Sequence, residues 1–494
     1  MNIFKATHSQ MVFGLKPARR WQPAFFPFGK ETFGRRLLAN IEILIKGPLF
    51  GCRMCGNCLL QETAFICPME CPKGMRNGPC GSITPDTRCY VDESRKCIWN
   101  AIYERAERKG REKTLLEVLP PVDWSRAGTE TWAGVVSQVR KTGTGRFIRS
   151  FFLKDTTAKQ EIWDSVFKTI RQPDWWMGDP EYHPPLYSEP ASELERRLKN
   201  REFVVATEVT PPVAADSLKL RRDIELVKPY VTAINFTDAA SGIPRMSASS
   251  CCKVAAEMDA EAVLQIAARD TTRTRLQSDV IGAGQLGVRN ILCVSGDSSK
   301  VGPHPTSDMN ILDLDSVQML WILRRMRDEG IYLDGRKIKY PPKFFLGAAT
   351  TPFAMKPELQ AIRDQKKVNA GAQFFQTNIV FEPERLDQWL GQLEKRGVLE
   401  KVYILIGMVP LRSYKAALHL HQKVPGVYLP PKILERMENA GNRAEEEGIQ
   451  IILETIDSVK HKKGVNGIHL MTLGWEAVVG RIVKESGLDS QSVF

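Results

Sequence analysis

"REFVVATEVTPP", residues 201–212, sets the run "FVVATEV" between a charged pair and a proline pair. The run is too short for a helix and rich in β-branched residues, so it reads as a strand, and its nearly continuous apolar character implies burial on both faces. Seven further runs repeat the pattern: "VTAINFT" (231–237), "AVLQIAA" (262–268), "NILCVSG" (290–296), "KFFLGAA" (343–349), "FFQTNIV" (374–380), "VYILIGM" (402–408) and "GIHLMTL" (467–473). Charged, helix-like segments separate them. Buried parallel strands need such crossovers, and eight repeats predict an α/β fold, a closed (β/α)8 TIM barrel over 201–494. An open doubly wound sheet is the alternative. The string "IGAGQLG" (281–287) has G-x-G-x-x-G spacing, but a polar, helix-like "TRTRLQSDV" precedes it and a strand follows. Phosphate binding needs strand before and helix after, so the string reads as a helix ending in glycines.

The chain has 494 residues, 43% hydrophobic and 26% charged, a globular composition too long for one core. No apolar run reaches the roughly 18 residues of a membrane span, and charges interrupt the start, "MNIFKATHSQMVFGLKPARRW". Neither signal peptide nor anchor is expected, which leaves the cytoplasm as the default compartment and no membrane partner. Of the net charge of +12, residues 1–200 hold most, with 31 basic and 22 acidic residues, against 38 and 35 in 201–494. Such a front suits an acidic partner as well as solvent. Nucleic acid is disfavoured, because aromatic and basic residues form no single-strand platform and no recognition helix follows the cysteines.

Three segments are expected: 1–110, a Cys-rich metal domain with a basic N-terminal arm; 111–200, a linker or wrapping segment rich in Pro and Trp; and 201–494, the barrel. In the first, "FGRRLLANIEILIKG" (33–47) and "CIWNAIYERAERKGR" (97–111) read as helices.

Barrel chemistry sits where strands finish. The residues there are Glu208, Thr237, Asp238, Gln265, Ser295, Gly296, Asp297, Thr350, Thr351 and Asn378. Two carboxylates, Glu208 and Asp297, stand among hydroxyls and amides, an arrangement that can separate their pKa values into an acid and a fixed anion. The plainer reading of Asp297 is an N-cap on the following helix.

Residues 203–475 resemble the flavin-dependent methylenetetrahydrofolate reductases through "TEVTPP", "INFTD", "VSGD", "AGAQFFQTNIVF" and "GWE". The resemblance implies a flavin, FAD or FMN, across the barrel mouth, with 5,10-methylenetetrahydrofolate stacked on it and reduced to 5-methyltetrahydrofolate, or the reverse. It assigns Glu208 the role of general acid toward the folate N10, and Asp297 a place beside the flavin ring. It puts Thr237, Gln265, Ser295, Gly296 and Lys367 on flavin-contacting positions. Asn378 stands where the family usually has a substrate-binding Gln, so a shorter amide must reach the pterin.

Eight of eleven cysteines crowd between residues 52 and 97: Cys52, Cys55, Cys58, Cys67, Cys71, Cys80, Cys89 and Cys97. A reducing compartment makes them metal ligands rather than disulfides. Eight thiolates make two sets of four, and both zinc and a [4Fe–4S] cluster accept a set of four cysteine thiolates. The C-x2-C-x2-C triplet, and the prolines after Cys67 and Cys71, lean toward two [4Fe–4S] clusters, with zinc as the alternative. The remaining Cys251, Cys252 and Cys293 read as small buried hydrophobes. The front resembles the companion subunit of acetogen-type two-subunit methylenetetrahydrofolate reductases, which has also been labelled a zinc-binding domain. This implies electrons passed through clusters from an acidic ferredoxin or flavodoxin. The alternatives are NADH as donor with a structural zinc front, and a front that docks a methyltransferase. A homo-oligomer is left open.

Overall fold

Alternation along the strands explains how the sheet closes. A computed structural model describes residues 33–81, 83–84, 86–167, 176, 178, 180–297, 302–304, 312–424 and 426–488. All eight runs form strands: β1 Val204–Val209, β2 Ala233–Phe236, β3 Ala262–Ala267, β4 Asn290–Val294, β5 Phe345–Thr350, β6 Phe374–Ile379, β7 Tyr403–Met408 and β8 Val465–Met471. Each pairs in parallel with its neighbours, and β8 closes the barrel by pairing with both β7 and β1. The sheet is therefore a (β/α)8 barrel, not an open doubly wound one.

Alternate residues of each strand fill the interior. Val204, Ala233, Val263, Leu292, Phe345, Phe374 and Leu405 share one cluster, joined by Leu194 and Leu198 of the helix Glu193–Lys199 that precedes β1. Phe345 and Phe374 stack with centroids 4.7 Å apart. Gly347 makes room for this, since a Cβ there would run into the Phe374 ring. The crossover helices used below are α1 Arg273–Gln285, α2 Ser316–Asp328, α3 Pro357–Asn369 and α4 Pro383–Lys395. α1 ends at the glycines of "IGAGQLG", where Gly287 adopts φ +87° before β4, so the string is a helix terminus as expected.

By contacts the chain divides into two units: residues up to Pro79 with Asp92–Pro180, and Cys80–Val91 with Glu181 onward. In the first unit both expected helices form, as Phe33–Phe50 and Ile98–Arg108. The stretch after 111, read as irregular, also carries helices Trp132–Thr142, Thr144–Ser150 and Thr156–Phe167. Gly143 at φ +93° breaks the first from the second, which is why no long period is visible. Much of this unit is tied by side chains gripping loop backbone. Asn77 donates to Leu119 O (2.9 Å) and accepts from Leu119 N, Arg76 donates to Pro120 O (2.7 Å), and Trp99 Nε1 donates to Met75 O (2.9 Å). No helix among the described residues is long and apolar enough to cross a membrane. The reading of residues 1–21 lies outside the described residues.

Candidate functional site

Glu208 is the fifth residue of β1 and points into the barrel with Val204 and Ala206, near the C-terminal rim. Only 16% of its side chain is exposed. Burial raises its pKa to about 7; a hydrogen bond with Gln265 from β3 opposes the shift, and the charge of Asp297 adds to it. The two carboxylates singled out in the sequence are thus electrostatically coupled, and Glu208 can hold a proton near neutrality. Asp297 takes a backbone partner from the loop after β2. Its Oδ2 accepts the backbone N–H of Ser241 at 2.7 Å, and α2 begins at Ser316 with Asp315 as its own capping residue.

Other predicted positions gather at the same end. Thr237, just past β2, is buried, and its Oγ1 has no hydrogen-bond partner among the described residues. Gly296 adopts φ +77°, and a Cβ there would lie 2.9 Å from Cβ of Arg269, so this turn is kept bare of side chain. Ser295 Oγ lies 3.5 Å from Ser316 Oγ at the start of α2. Asp238 accepts the N–H of Ala267 at 2.9 Å.

Asn378, the fifth residue of β6, is fixed near the strand's end. Its Oδ1 accepts from Ile379 N at 2.8 Å and its Nδ2 donates to Gly426 O at 3.3 Å. Gly426 is also approached by Gly81, whose carbonyl would lie 3.2 Å from a Cβ at 426. The segment 80–91 therefore reaches this rim of the barrel, and Tyr90 donates to Lys423 O at 3.2 Å.

Two positions differ from the simple strand-end picture. Thr350 faces outward: its hydroxyl donates to Asp364 of α3 at 2.7 Å, in a buried network with Gln360 and Trp389. A strand alternates faces residue by residue, so Ala349 takes the inward place. Lys367 lies on α3, 1% exposed, and donates to Ala349 O; burial lowers its pKa to about 7.

Sequence reasoning missed three inward polar residues. Asn235 and Gln376 form a reciprocal amide pair across the interior, at 2.6 and 3.0 Å. His469 of β8 is 4% exposed, with Nε2 3.9 Å from Glu208 Oε2. A lone His at an inward position of "GIHLMTL" was the available signal.

In the first unit, Cys52, Cys55, Cys58 and Cys67 line one cavity with Met54, Asn57 and Lys46. Lys46 donates to Cys58 Sγ at 3.7 Å and to Thr131 Oγ1 at 2.8 Å, and pairs with Glu42 at 2.5 Å. Burial raises the pKa values of Cys52, to about 12, and of Cys55 and Cys67, so thiolates gathered here need a positively charged centre. Among the described residues no three His, Cys, Asp or Glu side chains converge closely enough to hold a single metal ion. Cys71, Cys80, Cys89 and Cys97 do not line this cavity. Cys251, Cys252 and Cys293 are buried, as expected of small apolar residues.

Comparison with known proteins gives the family. Residues 193–487 match the methylenetetrahydrofolate reductase family, and residues 35–125 match a family described as methylene-tetrahydrofolate reductase C terminal. Methylenetetrahydrofolate reductase 2 of Schizosaccharomyces pombe is 27% identical over 225 residues, covering 42% of this chain and 32% of that protein. A probable methylenetetrahydrofolate reductase (NADPH) of Caenorhabditis elegans is 25% identical over 210 residues, covering 42% of this chain and 29% of that one. The chain thus spans about a third of the length of these curated relatives. A solved structure of an uncharacterized protein from Clostridium thermocellum, described as binding two copies of 5-methyl-5,6,7,8-tetrahydrofolic acid, is 16% identical with a TM-score of 0.44, covering 60% of this chain and 100% of that one. With the family match extending from the helix before β1 through the last helix after β8, the chain belongs to the methylenetetrahydrofolate reductase family.

Proposed function

We propose that this protein reduces 5,10-methylenetetrahydrofolate to 5-methyltetrahydrofolate at the barrel mouth, with Glu208 as general acid. The observation that carries the reading is a carboxyl set in the mouth with its pKa raised to about 7, beside a second carboxylate. A group so poised gives up a proton readily at neutral pH.

The mouth suits a flavin: the orphaned Thr237 hydroxyl offers a hydrogen bond. Thr237, Gln265, Ser295, Gly296 and Lys367 are the residues proposed to hold it, as FAD or FMN. When bound and reduced, a flavin supplies a hydride. Glu208 passes its proton to N10, the bond from the bridging carbon to N10 breaks with its electron pair going to nitrogen, and N5 forms the iminium that takes up the hydride. Gln265 hydrogen-bonds the carboxylate left behind. Asn378, already oriented by Ile379 and Gly426, is the proposed pterin contact.

For the front, Cys52, Cys55, Cys58 and Cys67 are the proposed ligands of one metal group. Four thiolates on one zinc ion at about 2.3 Å would sit within roughly 4 Å of each other. The C-x2-C-x2-C spacing of the first three favours a [4Fe–4S] cluster, with zinc as the alternative. Cys71, Cys80, Cys89 and Cys97 remain proposed as metal ligands. The basic front suits an acidic electron carrier, ferredoxin or flavodoxin. The name of the nematode relative favours a second reading, with NADPH as donor.

The test is Glu208→Gln in flavin-loaded protein. Flavin binding and reduction are expected to persist, while folate turnover falls by about 10²–10⁴-fold. Native turnover in the variant would remove Glu208 from the acid role.

A further inference from the structure

The proposed reaction leaves one neighbour of Glu208 without a role. His469 enters the interior from β8, between Ala206 of β1 and Gly407 of β7, its register partners. Neither partner carries a side chain longer than a methyl, so the imidazole has space, and it approaches the Glu208 carboxyl to 3.9 Å. Its other nitrogen, Nδ1, is buried and has no partner among the described residues. With no charge partner that offsets burial, the ring stays neutral: its pKa is pushed down to about 4. A neutral imidazole has one N–H. Placing that hydrogen on Nε2 directs the donor at Glu208 and leaves the lone pair on the isolated Nδ1. Glu208 then lies between two uncharged hydrogen-bonding groups, Gln265 from β3 and His469 from β8.

The arrangement matters at the moment the proton leaves. A carboxylate left in a half-buried mouth close to Asp297 is costly unless donors receive its charge. We propose that His469 is a positioning residue: its Nε2–H turns the Glu208 carboxyl toward bound substrate and stabilises the carboxylate once the proton has gone. This rests on the reductase reading above. Among charged groups around Glu208, Asp297 after β4 acts on it directly. Asp238 after β2 is engaged with Ala267 N, Arg269 after β3 with Asp270, and Glu476 after β8 lies 3.5 Å from the Thr472 hydroxyl. All of these persist when His469 is replaced.

The experiment compares native protein, His469→Leu and His469→Gln. The Glu208 carboxyl is titrated by infrared difference spectroscopy, its band identified by its loss in Glu208→Gln. In His469→Leu the midpoint is expected to rise by about one pH unit, because a donor to the charged form is gone. Folate turnover should fall by about 10–100-fold, with KM changed less than about threefold. His469→Gln, which restores a donor at similar reach, should recover most of both. Nitrogen-15 NMR of histidine in the unaltered protein should show His469 neutral and protonated at Nε2, a readout that survives if a variant fails to fold. An unshifted Glu208 titration in folded His469→Leu, or the Nδ1–H tautomer in the native protein, overturns the proposal. Absence of folate turnover in native flavin-loaded protein, with the titration still shifting, would instead remove the reductase reading.

Discussion

The barrel and the cysteine-rich unit reach order by different means. In the barrel, eight parallel strands satisfy one another's backbone groups, and their inward residues form a closed apolar core below a polar rim. Around the cysteines, Asn57, Arg76 and Asn77 hold loop backbone one bond at a time, and four thiols face a shared cavity. A ladder with a core folds without a ligand; a set of buried cysteines without one is a cost. The comparison teaches that in one region specificity comes from periodicity, and in the other from single side-chain bonds to loop backbone, with a metal on the thiols as the proposed remainder.

The largest test of this contrast is metal removal. Structural metal sites supply roughly 10–16 kcal/mol in small peptides. Anaerobic chelation, or Cys55→Ser, is expected to unfold the region around Trp99, read by tryptophan fluorescence, while hydrogen exchange in β1–β8 stays protected. Equal loss of protection in both regions would break the comparison.

The next concerns the polar rim. Glu208 binds its proton more tightly folded than unfolded, so its contribution to stability is lost as pH rises from about 4.5 to about 7. Glu208→Gln escapes that loss. Denaturant unfolding should show the variant more stable by up to about 3 kcal/mol at pH 8, and no different at pH 4. Within the core, Gly347→Ala drives a methyl into the Phe374 ring and should cost about 1–3 kcal/mol, measured as a lower denaturation midpoint. The smallest effect is at Gly287, where φ is +87° with open space around it. Gly287→Ala should cost about 1 kcal/mol and leave flavin affinity unchanged; a lost cofactor would revive the phosphate-loop reading of "IGAGQLG".

These differences also explain what the sequence revealed. Strands buried on both faces write themselves as continuous apolar runs, so all eight were legible, as were Glu208, Thr237 and Gly296 at their ends. Which face a strand-end residue takes was not: Thr350 turns outward because β5 places Ala349 inward. His469 lay hidden in an apolar run, since one polar residue looks the same whether it touches a carboxylate or water. The Asn235–Gln376 pair is invisible because its members lie 141 positions apart and meet only once the barrel closes. Cysteine spacing pointed to a ligand set, but not to the cavity that Cys52, Cys55, Cys58 and Cys67 share, because loops built on Gly and Pro have no period from which to infer direction.

The central claim is that a proton held by Glu208 lets the barrel mouth pass two electrons to folate. Stopped-flow mixing of photoreduced, flavin-loaded protein with 5,10-methylenetetrahydrofolate under anaerobic conditions tests it most directly. The account predicts rapid return of oxidised flavin absorbance near neutral pH in native protein, and a rate lower by about 10²–10⁴-fold in Glu208→Gln. Reoxidation at the native rate in the variant, or none in native protein, would contradict it.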